Sequence, residues 1–394
     1  MNILIINSGS SSIKFQLIQM PSEAKICSGL IERIGEKDAI LNYKTETVKL
    51  QQTDNISTHK EGLIKIVDLL LDPENGVIGN IKEIQGVGHR VVHGGNSFSK
   101  TALVTPEVKQ KIQQYAPLAP LHNPSNLEGI LVAEEYFPFA KQIAVFDTAF
   151  HQTIPEKARK YAIPNHFYEE QNIQVYGFHG TSHKYVSEKA IYYLQLEKSK
   201  IISIHLGNGC SMTAIENGKS IDHSMGFAPT NGLIMGSRSG DIDHSVIFYL
   251  VNSLGYSLDE VNKFLTKQSG MLGLSGYSDL RDIEREAAAG NPECKLALEM
   301  NAYRIKKFIG AYVATMNGLD AIIFTAGIGE NSSLIRQLVC RDMDFFGIDL
   351  DKTKNEEKFK GIREINTFSS EVKILVIPTN EELEIAKQAF SLLT

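Results

Sequence analysis

The sequence predicts an α/β protein built as two domains, and three observations carry that reading. Its 394 residues exceed what one ordinary core fills and suit two domains of moderate size. A strand, a small-residue loop and a second strand occur twice, at Met1–Met20 and at 201–218, which reads as a weak internal duplication. At 321–332 an apolar strand runs into Gly-x-Gly and a helix, a unit at home in α/β sheets.

Taken in order, Ile3–Ile6 open the first strand, Asn7 to Ser12 form the small-residue loop, and Ile13, Phe15 and Leu17 alternate with Lys14 and Gln16 as the return strand. Serine hydroxyls, open backbone N–H groups and Lys14 make this loop a candidate anion site, although alone it reads equally as a serine-rich turn. Helical spacing of Leu63, Ile64, Ile66, Val67 and Leu70 predicts a helix within 60–84, ending near Pro73 and Gly76. Val87–Gly95 reads as a short strand that carries Arg90 and His93 to a glycine-ended loop. His89 and His93 are four apart on a strand rather than a helix, which argues against a zinc pair. The proline-punctuated loop 118–124 carries His122 ahead of a helix to about Tyr136. The strand from Gln142 ends at Asp147, where an acid either points into the crevice of an α/β sheet or caps a helix. The domain boundary falls near residue 150.

Beyond it, Tyr176–His183 places His179 between glycines ahead of a helical pattern (Tyr185, Val186, Ala190, Tyr193), with His183 at the helix start. The stretch 201–243 is the centre of the reading. Gly207 and Gly209 break its first strand into a loop where backbone N–H groups can approach an anion, and Asn217-Gly218 marks a two-residue hairpin. Arg238, between Gly236 and Gly240, can meet a phosphoryl or carboxylate group bidentately. Either half alone also reads as an ordinary polar loop. Gly218-Lys219-Ser220 imitates the end of a P-loop, but Thr213 stands where that motif needs glycine. Residues 270–282 read as a glycine-punctuated loop. A long amphipathic helix is expected over 293–316, with Leu296, Met300, Ile305, Phe308, Ile309, Tyr312, Val313 and Met316 as its apolar stripe. After the strand at 321–325 and Gly327-Ile328-Gly329, a helix is expected to begin near Asn331, its N-terminus offering N–H groups to a nucleotide. A strand at 372–377 is broken by Pro-Thr-Asn, and Glu381 with Glu382 opens a terminal helix whose carboxylates suit either the helix dipole or a metal ion.

Composition narrows the class. Forty basic against 46 acidic residues give a net charge of −6, without basic runs, which argues against a nucleic-acid or membrane-surface binder. Cys27, Cys210, Cys294 and Cys340 are scattered and read as reduced thiols of a cytosolic protein. No signal peptide is recognised after Met1, and no apolar run approaches the ~18–20 residues of a membrane span. A cytoplasmic protein is expected. The small-residue loops, two loop arginines, Lys14 and carboxylates at element ends together describe phosphoryl transfer in a cleft between two α/β domains.

The motifs INSGSSSIKF, GHRVVHGG, FDTAFHQT, YGFHGTSH, HLGNG, SMGF, MGSRSGDID, FTAGIGENS and PTNEEL, in that order along nearly the whole chain, resemble those of the acetate kinase family, of the superfamily that holds sugar kinases, actin and chaperone ATPases. The resemblance implies two actin-like, ribonuclease-H-type domains with the active site in the cleft between them. They are an N-terminal domain, 1–150, on which a C-terminal helix, 381–394, packs back, and a nucleotide-binding domain, 151–380, in a homodimer. It implies Mg²⁺-dependent, reversible transfer of the ATP γ-phosphoryl group to acetate, giving acetyl phosphate and ADP, with Mn²⁺ as a substitute metal. By motif, Asn7 and Glu381 fall at the metal and Lys14 near the phosphates. Arg90 and Arg238 bracket the carboxylate and the migrating phosphoryl group, and His179 stabilises the transition state. Asp147 falls at the family's acid/base position. Acetate is already ionised at pH 7, so orienting an arginine or the metal is an equally good role. His205, Leu206, Gly207, Asn208 and Gly209, then Asp279, Leu280 and Arg281, then Gly327, Ile328, Gly329, Glu330 and Asn331 match nucleotide-binding segments. Val92, Leu121, Phe178 and Pro229 match the apolar wall around the acetate methyl group. Valine at 92 favours acetate over propionate, but one methylene separates substrates by only about 1–3 kcal/mol.

The chain departs from the family pattern at Asp222-His223-Ser224, at Pro229-Thr230-Asn231 and at His244, none of them assigned to chemistry. Three other readings stand beside the first: a kinase for propionate or another short-chain acid, a kinase that uses pyrophosphate or another nucleotide as donor, and a non-catalytic, nucleotide-gated switch of the actin kind. Arg90, Arg238 and His179 separate the kinases from the switch, because a switch has no anionic acceptor to hold.

Overall fold

The computed structural model describes residues 1–120 and 122–394. The chain forms two compact units, one of Met1–Phe150 with Asn380–Thr394 and one of His151–Thr379.

The first unit is built on an eight-stranded sheet. Its strands are β1 (Asn2–Ser8), β2 (Ser12–Gln19), β3 (Ala24–Glu32), β4 (Ala39–Lys44), β5 (Lys49–Asp54), β6 (Ile84–Val91), β7 (Ala102–Leu103) and β8 (Lys141–Phe146), in the order β5-β4-β3-β2-β1-β6-β8-β7. β1 to β5 form an antiparallel meander, whereas β6 lies parallel to β1 and β8 parallel to β6. Helices α1 (His59–Leu71), α2 (Pro106–Gln114) and α3 (Asn123–Tyr136) complete the unit with the C-terminal helix Glu381–Leu393. Thr58 caps α1 by accepting from the Glu61 N–H at 3.1 Å, and Leu63, Ile66 and Leu70 line its buried face. They meet Ile13, Phe15, Leu17 and Ile31 of the sheet in one core. Of the strands β3 to β5, which the sequence reading left unassigned, β4 alternates regularly with Ala39, Leu41 and Tyr43 buried, β3 buries only Cys27 and Ile31, and in β5 no residue is fully buried.

The second unit holds a six-stranded sheet of β9 (Lys200–Leu206), β10 (Cys210–Glu216), β11 (Lys219–His223), β12 (Ala321–Thr325), β13 (Arg363–Glu364) and β14 (Lys373–Val376), ordered β11-β10-β9-β12-β14-β13. β9 pairs antiparallel with β10, and β9, β12 and β14 run parallel. This repeats β3-β2-β1-β6-β8-β7, so the duplication seen in sequence is a duplication of topology, with the ribonuclease-H-type order in both units. Asn217 and Gly218 turn the β10–β11 hairpin with φ of 50° and 75°, the two positive values that such a turn demands.

Three expectations need correction. The long helix runs Pro292–Met316, but Leu296 and Met300 are exposed, while Cys294, Ala297, Leu298 and Asn301 are buried. Small residues set much of the inward face in its first half, where a search for large apolar ones misses it, whereas Ile305, Ile309, Tyr312 and Met316 are buried as expected. Residues 270–282 are not simply loop: Gly270–Ser275 is a short helix, and Leu280 opens another that ends at Ala288. The Gly-x-Gly segment is not a turn, although a helix does begin near Asn331, at Ser333. β12 passes directly into the helix Ala326–Asn331, so Gly327 and Gly329 are helical, and a separate helix, Ser333–Cys340, starts after Ser332.

Candidate functional site

In the first unit, Gly86 and Gly88 leave β6 bare where the C-terminal helix lies. A Cβ at Gly88 would stand 2.8 Å from Ile385 Cγ2, and one at Gly86 3.0 Å from Leu393 Cδ1. The helix therefore settles onto the strand and brings its first turn beside two cations. Arg90 Nε lies 3.8 Å from Glu381 Oε2, and Lys14 Nζ 2.5 Å from Glu382 Oε1. The Lys14 partner is thus Glu382, not the Glu381 of the expected metal position. Arg90 also donates to Asp147, from Nε to Oδ1 and Oδ2 at 3.2 and 3.1 Å and from Nη2 to Oδ2 at 2.7 Å. Asp147 is buried, immediately after β8. Burial works against the Arg90 charge, but Asp147 and Glu381 outweigh it and hold the guanidinium above its ordinary pKa. Burial likewise pushes the Glu381 carboxyl up, against the pull of Arg90 and with the help of Asp147.

Asn7 sits in β1 opposite Lys14. Buried Val92 follows β6, and its N–H donates to Asn126 Oδ1 at 3.1 Å, while Asn126 Nδ2 donates to the Ser8 carbonyl at 2.7 Å. One amide of α3 thus ties the turn after β1 to the turn after β6. Asn123 grips His93 in the same way, accepting from its N–H at 3.0 Å and donating to its carbonyl at 2.9 Å. Sequence reading missed both. The available signal was a pair of asparagines three apart at a helix start, which share one face. Leu121 lies outside the described residues.

In the second unit, His179 takes φ 55° just before the helix Gly180–Leu194, a left-handed conformation uncommon outside glycine. Its Nδ1 lies 2.9 Å from Ser211 Oγ, and its ring stacks on His205 with centroids 4.3 Å apart. Gly209 lies beneath: a Cβ there would be 3.4 Å from His179 Nε2 and 3.7 Å from Arg238 Nη1. The structure therefore converges His179, Arg238 and the Gly207–Gly209 turn. Arg238 Nη1 donates to the Pro229 carbonyl at 2.9 Å. Burial lowers the Arg238 pKa, and among the described residues no carboxylate pairs with it. An incoming anion would supply that missing charge. Phe178 is buried, with its N–H directed to His223 Nε2 at 3.4 Å. His223, a departure from the family pattern, thus works within the packing behind the site.

A cavity of about 810 Å³ in this unit is lined by Leu206, Gly207, Asn208, Asp279, Leu280, Arg281, Gly327, Ile328 and Asn331, a volume suited to a nucleotide. Asp279 caps its helix by accepting from the Arg281 N–H at 2.9 Å. The Arg281 side chain, then that N–H, holds the Asp279 carboxyl down to about 2. Sequence reading missed Ile234, Met271, Glu284, Asn301 and Ser332 on the same walls. Asn301, a polar residue on the buried face of a long helix, was the legible one; it donates to the Ile234 carbonyl at 3.2 Å. Other expected nucleotide residues lie elsewhere. His205 Nδ1 is 2.8 Å from Ser182 Oγ. The Gly329 carbonyl accepts from Arg336 Nη1 at 2.9 Å, and Glu330 Oε1 from the Thr379 N–H at 3.1 Å. Among the described residues, no group of three or more His, Cys, Asp or Glu side chains could hold a metal, and no helix is long and apolar enough to cross a membrane.

A model of the acetokinase family matches residues 2–387. The acetate kinase of Flavobacterium johnsoniae is 64% identical over 393 residues, covering all of both chains. Among solved structures, Porphyromonas gingivalis acetate kinase aligns over the full length of both chains with a TM-score of 0.94 and 42% identity. A propionate kinase from Francisella tularensis subsp. tularensis aligns over 99% of both chains with a TM-score of 0.93 and 43% identity.

Proposed function

The chain belongs to the acetokinase family, and from that premise we propose that it transfers the γ-phosphoryl group of ATP reversibly to acetate, giving acetyl phosphate and ADP. The observation that carries the reading is the pairing of an 810 Å³ nucleotide-sized cavity with a partly buried arginine, Arg238, that has no carboxylate partner among the described residues. Acetate is an ionised nucleophile at neutral pH, so transfer needs alignment and charge neutralisation more than proton removal. Arg90, braced by Asp147, holds the acetate carboxylate. Arg238 and His179 neutralise the phosphoryl oxygens as charge builds, and the Gly207–Gly209 turn lets backbone N–H groups reach the phosphate chain. Asp147 acts here as an orienting group.

A magnesium ion fits the residues of the first unit. Glu381 offers a carboxylate and Asn7 an amide oxygen, and Mg²⁺ is commonly held by one or two carboxylates with substrate phosphates and water completing its shell. Bound there, it would neutralise phosphate charge. Glu382, engaged by Lys14, keeps a second negative charge near that position.

Acyl selectivity rests on side chains, because the fold is matched almost equally by an acetate and a propionate kinase. The valine at 92 carries the preference for acetate over the longer acids. Initial rates with MgATP across acetate, propionate and butyrate, trapping the acyl phosphate with hydroxylamine, test this. Highest kcat/KM with acetate is expected. A preference for propionate overturns the selectivity argument, and no acyl phosphate from any acid supports the nucleotide switch.

The protein acts as a homodimer. The helix His244–Asn252 buries none of its residues, and Phe248 and Tyr249 are about 60% exposed, which is apolar area that a second copy would cover. Light scattering that gives a monomer at micromolar concentration would refute this. Four free, buried cysteines suit a reducing cytoplasm.

A further inference from the structure

Behind His179 lies a chain of three groups that the transfer reaction does not itself use. Ser211 Oγ lies between two imidazoles, 2.9 Å from His179 Nδ1 and 2.8 Å from His183 Nε2. The other nitrogen of His183, Nδ1, is 2.8 Å from Ser203 Oγ. His183, Ser203 and Ser211 are fully buried, so each of their protons needs an acceptor within the protein.

A serine hydroxyl carries one proton and two acceptor lone pairs, and a neutral imidazole one N–H, so the three contacts can run in three senses. In one, Ser211 accepts from both imidazoles and its own proton is stranded. In another, His179 Nδ1–H donates to Ser211, Ser211 to His183 Nε2, and His183 Nδ1–H to Ser203. The Ser203 proton would then be stranded, because among the described residues its oxygen meets no other hydrogen-bond partner. In the opposite sense every proton is used. Ser203 donates to His183 Nδ1, His183 Nε2–H donates to Ser211, and Ser211 donates to His179 Nδ1. We infer that Ser203, His183 and Ser211 form a one-way relay that holds His179 in its neutral tautomer with the proton on Nε2, the nitrogen beside Gly209 and Arg238.

Burial, then the neighbouring histidines, lowers the His183 pKa well below its ordinary value, so the relay has no imidazolium to reverse it. Protonating His179 on Nδ1 would strand a buried hydroxyl proton, that of Ser211 if Ser211 accepts from both rings or that of Ser203 if the chain turns round, so the relay also disfavours the His179 cation. His179 is thereby a fixed hydrogen-bond donor, not a base, and Ser211 and His183 are positioning residues. This rests on the reading of His179 as a contact of the migrating phosphoryl group.

The test is proton–nitrogen correlation spectroscopy of the full-length protein carrying 15N-labelled histidine, with the His179 signals assigned by their loss in His179→Gln. The expected result at pH 7 is a neutral His179 ring protonated on Nε2; an Nδ1–H ring or an imidazolium in the wild-type protein overturns the relay. Ser211→Ala should lower kcat about ten- to a hundredfold with the KM for acetate and MgATP changed less than about twofold, and Ser211→Thr, which keeps the hydroxyl, should restore most of it. If folded Ser211→Ala keeps both turnover and the Nε2–H ring while His179→Gln is slow, the relay falls and the catalytic reading of His179 stands. If folded His179→Gln turns over normally, that catalytic reading falls instead, and the wild-type spectrum still decides the tautomer.

Discussion

Replacing Asp147 by Asn tests what the buried carboxylate beside Arg90 does. Asparagine keeps the shape and one acceptor oxygen but removes the charge that faces Arg90 Nε and Nη2 across 2.7–3.2 Å. A hydrogen bond to a charged group contributes about 1.5–3 kcal/mol, and each ~1.4 kcal/mol is tenfold in rate. If Asp147 orients Arg90 for the acetate carboxylate, kcat/KM for acetate should fall about 10- to 150-fold. The KM for MgATP should hold. Glu381, 3.8 Å from Arg90 Nε, remains as a counter-charge, so the fold should survive; circular dichroism and a melting curve check that. The assay is the initial rate of hydroxamate formation between pH 5.5 and 9. A folded variant with unchanged kcat/KM would refute the orienting argument. Loss of one limb of the pH profile would instead assign proton transfer to Asp147.

Arg238→Ala should lower kcat by orders of magnitude while leaving the melting curve close to wild type, since the side chain has one hydrogen bond to a protein oxygen, the Pro229 carbonyl; near-normal turnover would remove it from the chemistry. Gly270→Ala should destabilise by at least ~1–3 kcal/mol in denaturant titrations and depress activity, because Gly270 has φ 63° and its Cβ would stand 2.2 Å from the Met235 carbonyl and 2.6 Å from that of Arg238. Burial raises the Asp222 carboxyl from 3.8 to about 6. Its folded pKa exceeds the unfolded one, so stability is fullest below pH 3.8 and is lost as pH rises through 6. Asp222→Asn should therefore stabilise the protein by up to about 3 kcal/mol above that range, and urea titrations at pH 5 and 8 should show the gain growing with pH.

The parts of the site that lie on short, self-contained motifs were legible in the sequence. The hairpin at Asn217-Gly218 declares itself because only a few residues tolerate its two positive φ values. His179, Gly209 and Arg238 were each marked by small neighbours, and the structure brings them within a few ångströms. What escaped depends on burial that no local pattern encodes. Asn126 reads as a surface residue until its amide is seen joining Ser8 to Val92. Asn301 escaped because the first half of the long helix turns Cys294, Ala297 and Ala302 inward and leaves Leu296 and Met300 exposed, so the large apolar residues there mark the wrong face. Gly86 and Gly88 resembled ordinary strand glycines, although their lack of a side chain decides how near the C-terminal helix, and so Glu381, comes to Arg90.

That returning helix bears on how the protein is made. Residues 151–379 are interposed in the first unit, between its eighth strand and its last helix. At about 5–20 residues per second, the ribosome needs roughly ten to fifty seconds to traverse them. Throughout that interval the strand bearing Arg90 exists without Ile385 over its glycines and without the acids of the closing turn. The second unit, contiguous in the chain, can fold as it emerges. The closing turn is thus withheld from the nascent chain, and a ribosome that stalls late releases a protein whose second unit is whole but whose first lacks the helix that sets Glu381 beside Arg90.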